Sequence, residues 1–225
     1  MSEKIQQPFS HWIQDHIYSA TELEDYLKCP YRFYANAYLK IRPESRWDIE
    51  ISPAERGTLL HAVLEKFLAD LHRDQFFKKP ILPNTLEDLE LHILKILDQE
   101  LTKLTSSRPG LSLFLLSRQK IKFERTLKNF VLNLIEQQGE HENRKTLIPS
   151  YFEWRFEGDR CLEIPLSGGK KVKLKGRIDR IDIDPVQKRF LVVDYKTSHN
   201  ITGSQILAGE SLQLPCYIWA VKQHL

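Results

Sequence analysis

An α/β fold is predicted by three features of the chain. The hydrophobic period changes part-way along, capping signals precede long amphipathic stretches, and a hairpin pattern lies near the C-terminal end. Through about residue 148 apolar residues recur at helical spacing, and beyond Pro149 they alternate as strand residues do. The expected order is helices first, then a small sheet, then a closing helix.

Residues 1–16 are polar with isolated aromatics and are expected to form a flexible arm. A helix should start near "SATELEDYLKC", where Ser19 with Glu22, or Thr21 with Glu24, fits a capping box. Pro30 interrupts it, "YRFYANAYL" resumes it, and "RPESRWDIEISPAERG" reads as a loop. In "RGTLLHAVLEKFLADLHRD", Leu60, Val63, Leu64, Phe67, Leu68 and Leu71 make one apolar stripe. Thr85 with Asp88 can cap a second long helix carrying Leu89, Ile93, Ile96, Leu97, Leu101 and Leu104. A third helical stretch runs over roughly 111–138. "YFEWRFEG" and "RCLEIPLSGG" then alternate as strands, and "DPVQKR" reads as the turn of a hairpin. "SLQLPCYIWAVKQHL" reads as a helix capped by Ser211, with Pro215 in its first turn. The sequence ends inside helix-like text, as a fragment of a longer chain would.

Composition narrows the function classes. The 225 residues carry 33 basic and 30 acidic side chains, a formal charge of +3, so an anionic partner must be met by a local patch. Cys29, Cys161 and Cys216 are scattered without C-x-x-C spacing, which argues for a reducing compartment and against a disulfide framework. No apolar run approaches membrane-spanning length and no secretion-signal pattern is present, so a cytoplasmic protein without membrane contact is expected.

The hairpin "GRIDRIDIDPVQKRFLVVDYKTS" raises the chemical question, because acidic residues are poor strand formers. Val192, Asp194 and Lys196 share one strand face, so a carboxylate and an ammonium project side by side. In the first strand Ile178 and Ile181 have opposite parity, which predicts a β-bulge next to Asp179. Pairing around the turn brings Asp179 near Asp194 and Lys196. Two converging carboxylates suit a hard divalent cation with oxygen ligands, and a lysine beside them can neutralise charge developing on a phosphate.

The runs G-R-I-D (176–179), V-D-Y-K-T (193–197) and Q-L-P-C-Y (213–217), in that order, resemble the PD-(D/E)XK nucleases of the RecB/AddB exonuclease type. "RGTLLHAVLE" is similar to that family's G-x-x-x-H helix, and "ELEDYLKCPYRFYANAYL" to its N-terminal helical motif. The resemblance implies a restriction-endonuclease-like core, a small mixed sheet flanked by helices, with a helical N-terminal elaboration. It also implies one nuclease domain over 17–225, divided into a helical part, 17–148, and a catalytic sheet with its motif helix, 149–225.

The function so implied is a Mg²⁺- or Mn²⁺-dependent DNA nuclease, an exonuclease acting on DNA ends or single strands in recombination or repair. A helicase subunit or fused domain is a candidate partner. His61, Asp179 and Asp194 would be metal ligands, joined by the main-chain carbonyl of Tyr195. Lys196 would be the catalytic lysine. Gln213 and Tyr217, at i and i+4 on one helix face, would support the catalytic site and contact the DNA backbone.

Many relatives of this type hold an iron–sulfur cluster on four cysteines. Cys29 occupies the first of those positions, but Cys161 and Cys216 stand elsewhere and four thiolates are needed. A cluster is therefore not expected in this chain unless further ligands lie beyond Leu225, and Cys29 reads as a small buried residue.

Blander readings stand beside several residues. Glu65 reads as a solvated helix charge, Asp182 and Asp184 as solvent-face and turn residues, and Glu153 as equally structural or auxiliary to the site. Arg56, Arg118, Lys120, Lys122, Arg125 and Lys128 form loose basic clusters, and Tyr31, Phe33, Tyr34 and Tyr38 fit a core as well as a stacking surface. The alternative to an enzyme is a non-catalytic DNA-binding or scaffolding module with a decayed nuclease fold. A hydrolase of small phosphorylated molecules is poorly supported, because no phosphate-cradling glycine loop appears.

Overall fold

The computed structural model describes residues 9–41, 49–78, 84–140, 146–196 and 201–225. Residues 1–8 of the expected arm, most of the "RPESRWDI" loop and Thr197 lie outside the described residues. The chain divides into two compact units. One comprises Met1–Glu44, Arg155–Ile178 and His199–Leu225; the other comprises Ser45–Trp154 and Asp179–Ser198.

In the first unit, helix α1 (Phe9–Asp15) is followed by a short strand β1 (Ile17–Ser19) and helix α2 (Ala20–Lys28). Phe9 and Trp12 of α1, within the expected arm, pack on Tyr34 and Tyr38 through ring contacts of 5.0 to 5.3 Å. Of the two capping boxes that fit α2, Ser19 with Glu22 forms. The Ser19 N–H donates to Glu22 Oε2 at 2.7 Å, and the Glu22 N–H donates to Ser19 Oγ at 3.2 Å. Glu24 instead accepts the Leu212 N–H at 2.8 Å, just before the closing helix. After α3 (Pro30–Phe33) one π-helical turn spans Tyr34–Tyr38.

The second unit holds the long helices α4 (Pro53–Arg73), α5 (Thr85–Ser107) and α6 (Leu113–Glu140), which pack in chain order. Helix α4 opens with a capping box between Ser52 and Glu55 and with Pro53 in its first turn, where the missing N–H costs no helix bond. Its expected stripe is the core: Val63, Phe67 and Leu68 are at most 1% exposed and pack with Ile93, Leu97, Leu127 and Val131. Each such side chain contributes about 1.5–3 kcal/mol by leaving water. Thr85 begins α5 rather than capping it, the cap being Asn84.

The strands are β2 (Ile148–Phe156), β3 (Leu162–Pro165), β4 (Lys171–Asp184) and β5 (Arg189–Val193). The fold is mixed α/β with a five-stranded sheet, and β4 pairs with every other strand. β1 runs parallel to β4 with Tyr18 opposite Leu174, while β3 and β5 run antiparallel to it. β1 was not foreseen, since three residues are too few to show a period. The chain ends with α7 (Gly203–Leu207) and α8 (Gln213–His224). The cap residue of α8 is Leu212, not Ser211, which precedes it and is buried.

β4 runs from Lys171 to Asp184, and Ile178 to Asp182 are all buried, so both faces of the strand are covered beside Asp179. Left-handed backbone occurs at Glu153 of β2, where φ is 48°. Asp182 is also corrected: it is 2% exposed rather than on a solvent face.

Asp184 organises the β4–β5 turn, as expected of a turn residue, yet its side chain is fully shielded. Oδ1 accepts the Val186 and Gln187 N–H groups, each at 3.0 Å. Oδ2 accepts from Thr146 Oγ1 at 2.6 Å and from Arg189 at 3.0 Å. These bonds favour the charged form. Led by the Gln187 N–H, they pull the Asp184 pKa from 3.8 down to about 2.

Two outcomes are expected. Because the folded pKa of Asp184 lies below its ordinary value, its stabilisation is complete above pH 3.8 and is lost as pH falls through about 2. Denaturant melts across that window should therefore show wild type and Asp184→Ala converging toward low pH. In the first unit, a Cβ added at Gly176 would stand 2.5 Å from Phe156 and 3.0 Å from Tyr217. Gly176→Ala should thus cost about 1–3 kcal/mol in the same melts.

Candidate metal centre

The site is built within the second unit from α4, β2, the end of β4 and the residues following β5. His61 lies at the edge of the α4 stripe and is half-buried, so its ring is free of the core proper. Its Nδ1 stands 3.2 Å from Asp179 Oδ1 and 3.3 Å from Glu153 Oε1. Its Nε2 stands 3.2 Å from the main-chain oxygen of Tyr195. A carbonyl only accepts, and an ionised carboxylate only accepts, so both ring nitrogens must donate for all these bonds to form. The imidazolium is accordingly favoured. The Asp179 hydrogen bond leads in raising the His61 pKa to about 9, against the opposing effect of burial.

Asp179 holds the opposite side of the site together. Its Oδ2 accepts the Tyr195 N–H at 2.6 Å. The β4–β5 ladder ends with Arg180 opposite Val193, so Asp179 and Asp194 are the residues that immediately follow its last pair. Asp194 in turn pairs with Lys196, Nζ to Oδ2 being 2.7 Å, and its side chain is only 5% exposed. Burial raises the Asp194 pKa most; the Asp179 charge raises it further, and the Lys196 ammonium opposes both. Asp194 and Lys196 stand side by side, although both follow the last strand residue, Val193, rather than sharing a strand face.

Ligand-type atoms of His61, Glu153 and Asp179 all lie within 4.8 Å of one another. With the Tyr195 carbonyl beside His61, one imidazole faces three oxygens and carries the positive charge that two buried carboxylates demand. A divalent cation would meet the same demand with the same donors, a hard oxygen set plus one imidazole. The residues present therefore fit a metal.

Glu153 is the member that sequence reading left undecided. Its left-handed φ is costly for a non-glycine residue, about 1–2 kcal/mol, and such strain gathers at functional sites. In the sequence, the signal for it is an acidic residue in "YFEWRF" at a position where similar nucleases commonly carry one. Glu65, one turn after His61, is exposed.

On the other face of the same strands, Arg180 Nε and Nη2 donate to the two oxygens of Asp182 at 2.5 and 2.6 Å. Arg180 Nη1 donates to the Tyr195 hydroxyl at 3.4 Å, and the Phe130 ring packs 5.8 Å from the Tyr195 ring. Tyr195 is thus held by its side chain on one face while its main-chain atoms serve the other. Gln213 and Tyr217 belong to the first unit. There Gln213 Nε2 donates to the Tyr217 hydroxyl at 2.8 Å, and Tyr217 meets Phe156 edge-on.

The remaining candidates are placed as follows. Cys29 is exposed, not buried as expected, while Cys161 and Cys216 are buried. Burial raises the Cys216 thiol to about 11. Lys120 pairs with Asp98 and Lys128 with Glu90 on helix surfaces. Phe33 is core, Tyr31 is exposed, and Tyr34 stacks on Tyr38.

A comparison with protein families matches residues 17–225 to the PD-(D/E)XK nuclease superfamily. The chain belongs to that superfamily. Asp194-Tyr195-Lys196 spells its D-x-K element, and Asp179 follows Ile178 where the superfamily's name has proline. Among curated proteins, the chain is similar to an ATP-dependent helicase/deoxyribonuclease subunit of Lacticaseibacillus casei, 28% identical over 90% of this chain and 17% of the relative. The Clostridium novyi protein of the same name is 30% identical over 90% of this chain and 18% of the relative. That of Desulfitobacterium hafniense is 28% identical over 98% of this chain and 18% of the relative. The chain thus spans less than one fifth of the length of these relatives. Among the described residues no helix is long and apolar enough to cross a membrane.

Removing one partner of the buried Arg180–Asp182 pair leaves an uncompensated charge. Asp182→Ala should cost about 3–5 kcal/mol in denaturant melts. Arg180→Met with Asp182→Leu should recover much of that loss, because both charges leave the interior together.

Proposed function

We propose that this chain is the catalytic domain of a divalent-metal-dependent deoxyribonuclease. It would act as an exonuclease on DNA ends or single strands in recombination or repair, in the cytoplasm and in company with a helicase subunit or fused domain. The observation that carries the reading is the convergence of His61, Glu153, Asp179 and the Tyr195 carbonyl beside the Asp194–Lys196 pair. Membership of a nuclease superfamily supports it, as do relatives named as helicase/deoxyribonuclease subunits.

His61, Asp179, Asp194 and the main-chain oxygen of Tyr195 would hold Mg²⁺ or Mn²⁺, with Glu153 as a further oxygen donor. The cation would supply Lewis-acid polarisation of a phosphate oxygen and acidify a water. The protein's own part is positional. Asp179 fixes Tyr195 through its N–H and thereby aims the carbonyl. Asp194 fixes the Lys196 ammonium, which offers a preorganised charge where a phosphodiester gains negative charge during attack. Gln213 and Tyr217, hydrogen-bonded to each other, would contact the DNA backbone.

Wild type should degrade a labelled single-stranded oligonucleotide in Mn²⁺ or Mg²⁺ and not in EDTA. Lys196→Ala should lower turnover about 10²–10³-fold while retaining DNA affinity in Ca²⁺. His61→Ala should raise the Mn²⁺ concentration needed for half-maximal rate without unfolding the chain. If wild type shows no metal-dependent cleavage and Lys196→Ala loses DNA affinity, a non-catalytic DNA-binding module is the correct reading.

A further inference from the structure

Outside the candidate metal centre, the first unit contains a cavity of about 760 Å³, well inside the span of small-ligand sites. One wall is aromatic. Tyr18 and Phe33 lie nearly parallel with centroids 6.1 Å apart, and Tyr26 meets Phe33 edge-on at 5.5 Å. Phe33 is buried whereas Tyr26 is half-exposed, so a core ring anchors a ring that solvent reaches. The Tyr18 hydroxyl donates to the Ile13 carbonyl at 2.8 Å, which holds the ring in place.

The other wall is basic. It comes from the β3–β4 connection and the start of β4, which contribute Lys170, Lys171 and Lys173. Asp15 is the one carboxylate among the described lining residues. Glu163 is shared by Lys171, at 2.7 Å, and Lys173, at 3.8 Å. These ion pairs are exposed, and exposed pairs exchange readily for another anion because they are worth little.

Aromatic rings and ammonium groups lining one cavity match the two halves of a nucleotide. Aromatic faces take a base without regard to its sequence, and lysines take the flanking phosphates as point charges. We propose that this cavity binds single-stranded nucleic acid, one base packing on Tyr18 and Tyr26, with Phe33 supporting Tyr26 from the core, and the adjoining phosphates resting on Lys170, Lys171 and Lys173. The site is separate from the residues assigned to hydrolysis. Only the choice of ligand class rests on the nuclease reading.

The test uses the full 225-residue chain in EDTA, where hydrolysis does not occur, with fluorescein-labelled oligothymidylate followed by anisotropy. Wild type should bind with a strong salt dependence. Tyr26→Ala should weaken binding about five- to hundred-fold, and Lys170→Ala with Lys171→Ala should reduce the log–log salt slope by about 1.4. Both variants alter exposed side chains, and circular dichroism should show them folded. In Mn²⁺, the same variants should raise KM and leave kcat near wild type. Photocrosslinking of wild type with 5-iodouracil-substituted oligonucleotide should label Tyr26 or Tyr18, a readout that needs no variant. Unchanged affinity in both variants, or crosslinks only elsewhere, would overturn the proposal even if metal-dependent cleavage is found. Loss of cleavage in Lys196→Ala with Tyr26-dependent binding intact would leave this site standing and bear on the catalytic reading alone.

Discussion

The carboxylate of Asp179 ties together three stretches that are remote in sequence, and the geometry of the candidate centre depends on it. One oxygen accepts the Tyr195 N–H and the other faces His61 of α4. The side chain is almost fully buried, so each bond answers a desolvation cost that no water can meet. With Tyr195 held by its N–H, its carbonyl is turned toward the far nitrogen of the same imidazole. The ring is thereby enclosed by acceptors on both sides, and the positive charge it carries follows from that enclosure.

The strands around this carboxylate use their two faces for different purposes. On one face of β4, Asp179 joins His61 and Glu153, and just past the end of β5 Asp194 pairs with Lys196. On the other, Arg180 and Asp182 form a two-bond ion pair at close to full burial, with the Tyr195 hydroxyl alongside. A buried ion pair adds little net stability over an apolar pair of equal size. Its geometry nevertheless restricts where the Tyr195 ring can sit, and hence where its main-chain atoms point. This coupling explains why a hairpin tolerates so many carboxylates: each has a specific partner, and none is left to solvent.

The aromatic and lysine-lined cavity of the first unit has a different character. There the acidic groups are few, the lysines are exposed, and the fixed elements are rings rather than carboxylates. Such a surface attracts an anion through its field and holds a planar group through contact area, with little demand for exact hydrogen-bond geometry.

Local spacing determined much of this protein. The α4 stripe, the Ser52–Glu55 and Ser19–Glu22 capping boxes, and the pairing of Asp194 with Lys196 all follow from contacts within a few residues. The hairpin turn set the β4–β5 register, whose last pair is Arg180 with Val193, next to Asp179 and Asp194. Only tertiary structure brought Glu153 to His61 across 92 residues and the Tyr195 carbonyl to the same ring across 134. It also chose Ser19 over Thr21 as the cap of α2, because Glu24 is drawn to the Leu212 N–H, and it buried Asp182 by supplying Arg180 as a partner. Periodicity states which face of an element is apolar. It carries no information about which remote element covers that face, so the meeting of charges across the fold is settled by packing alone.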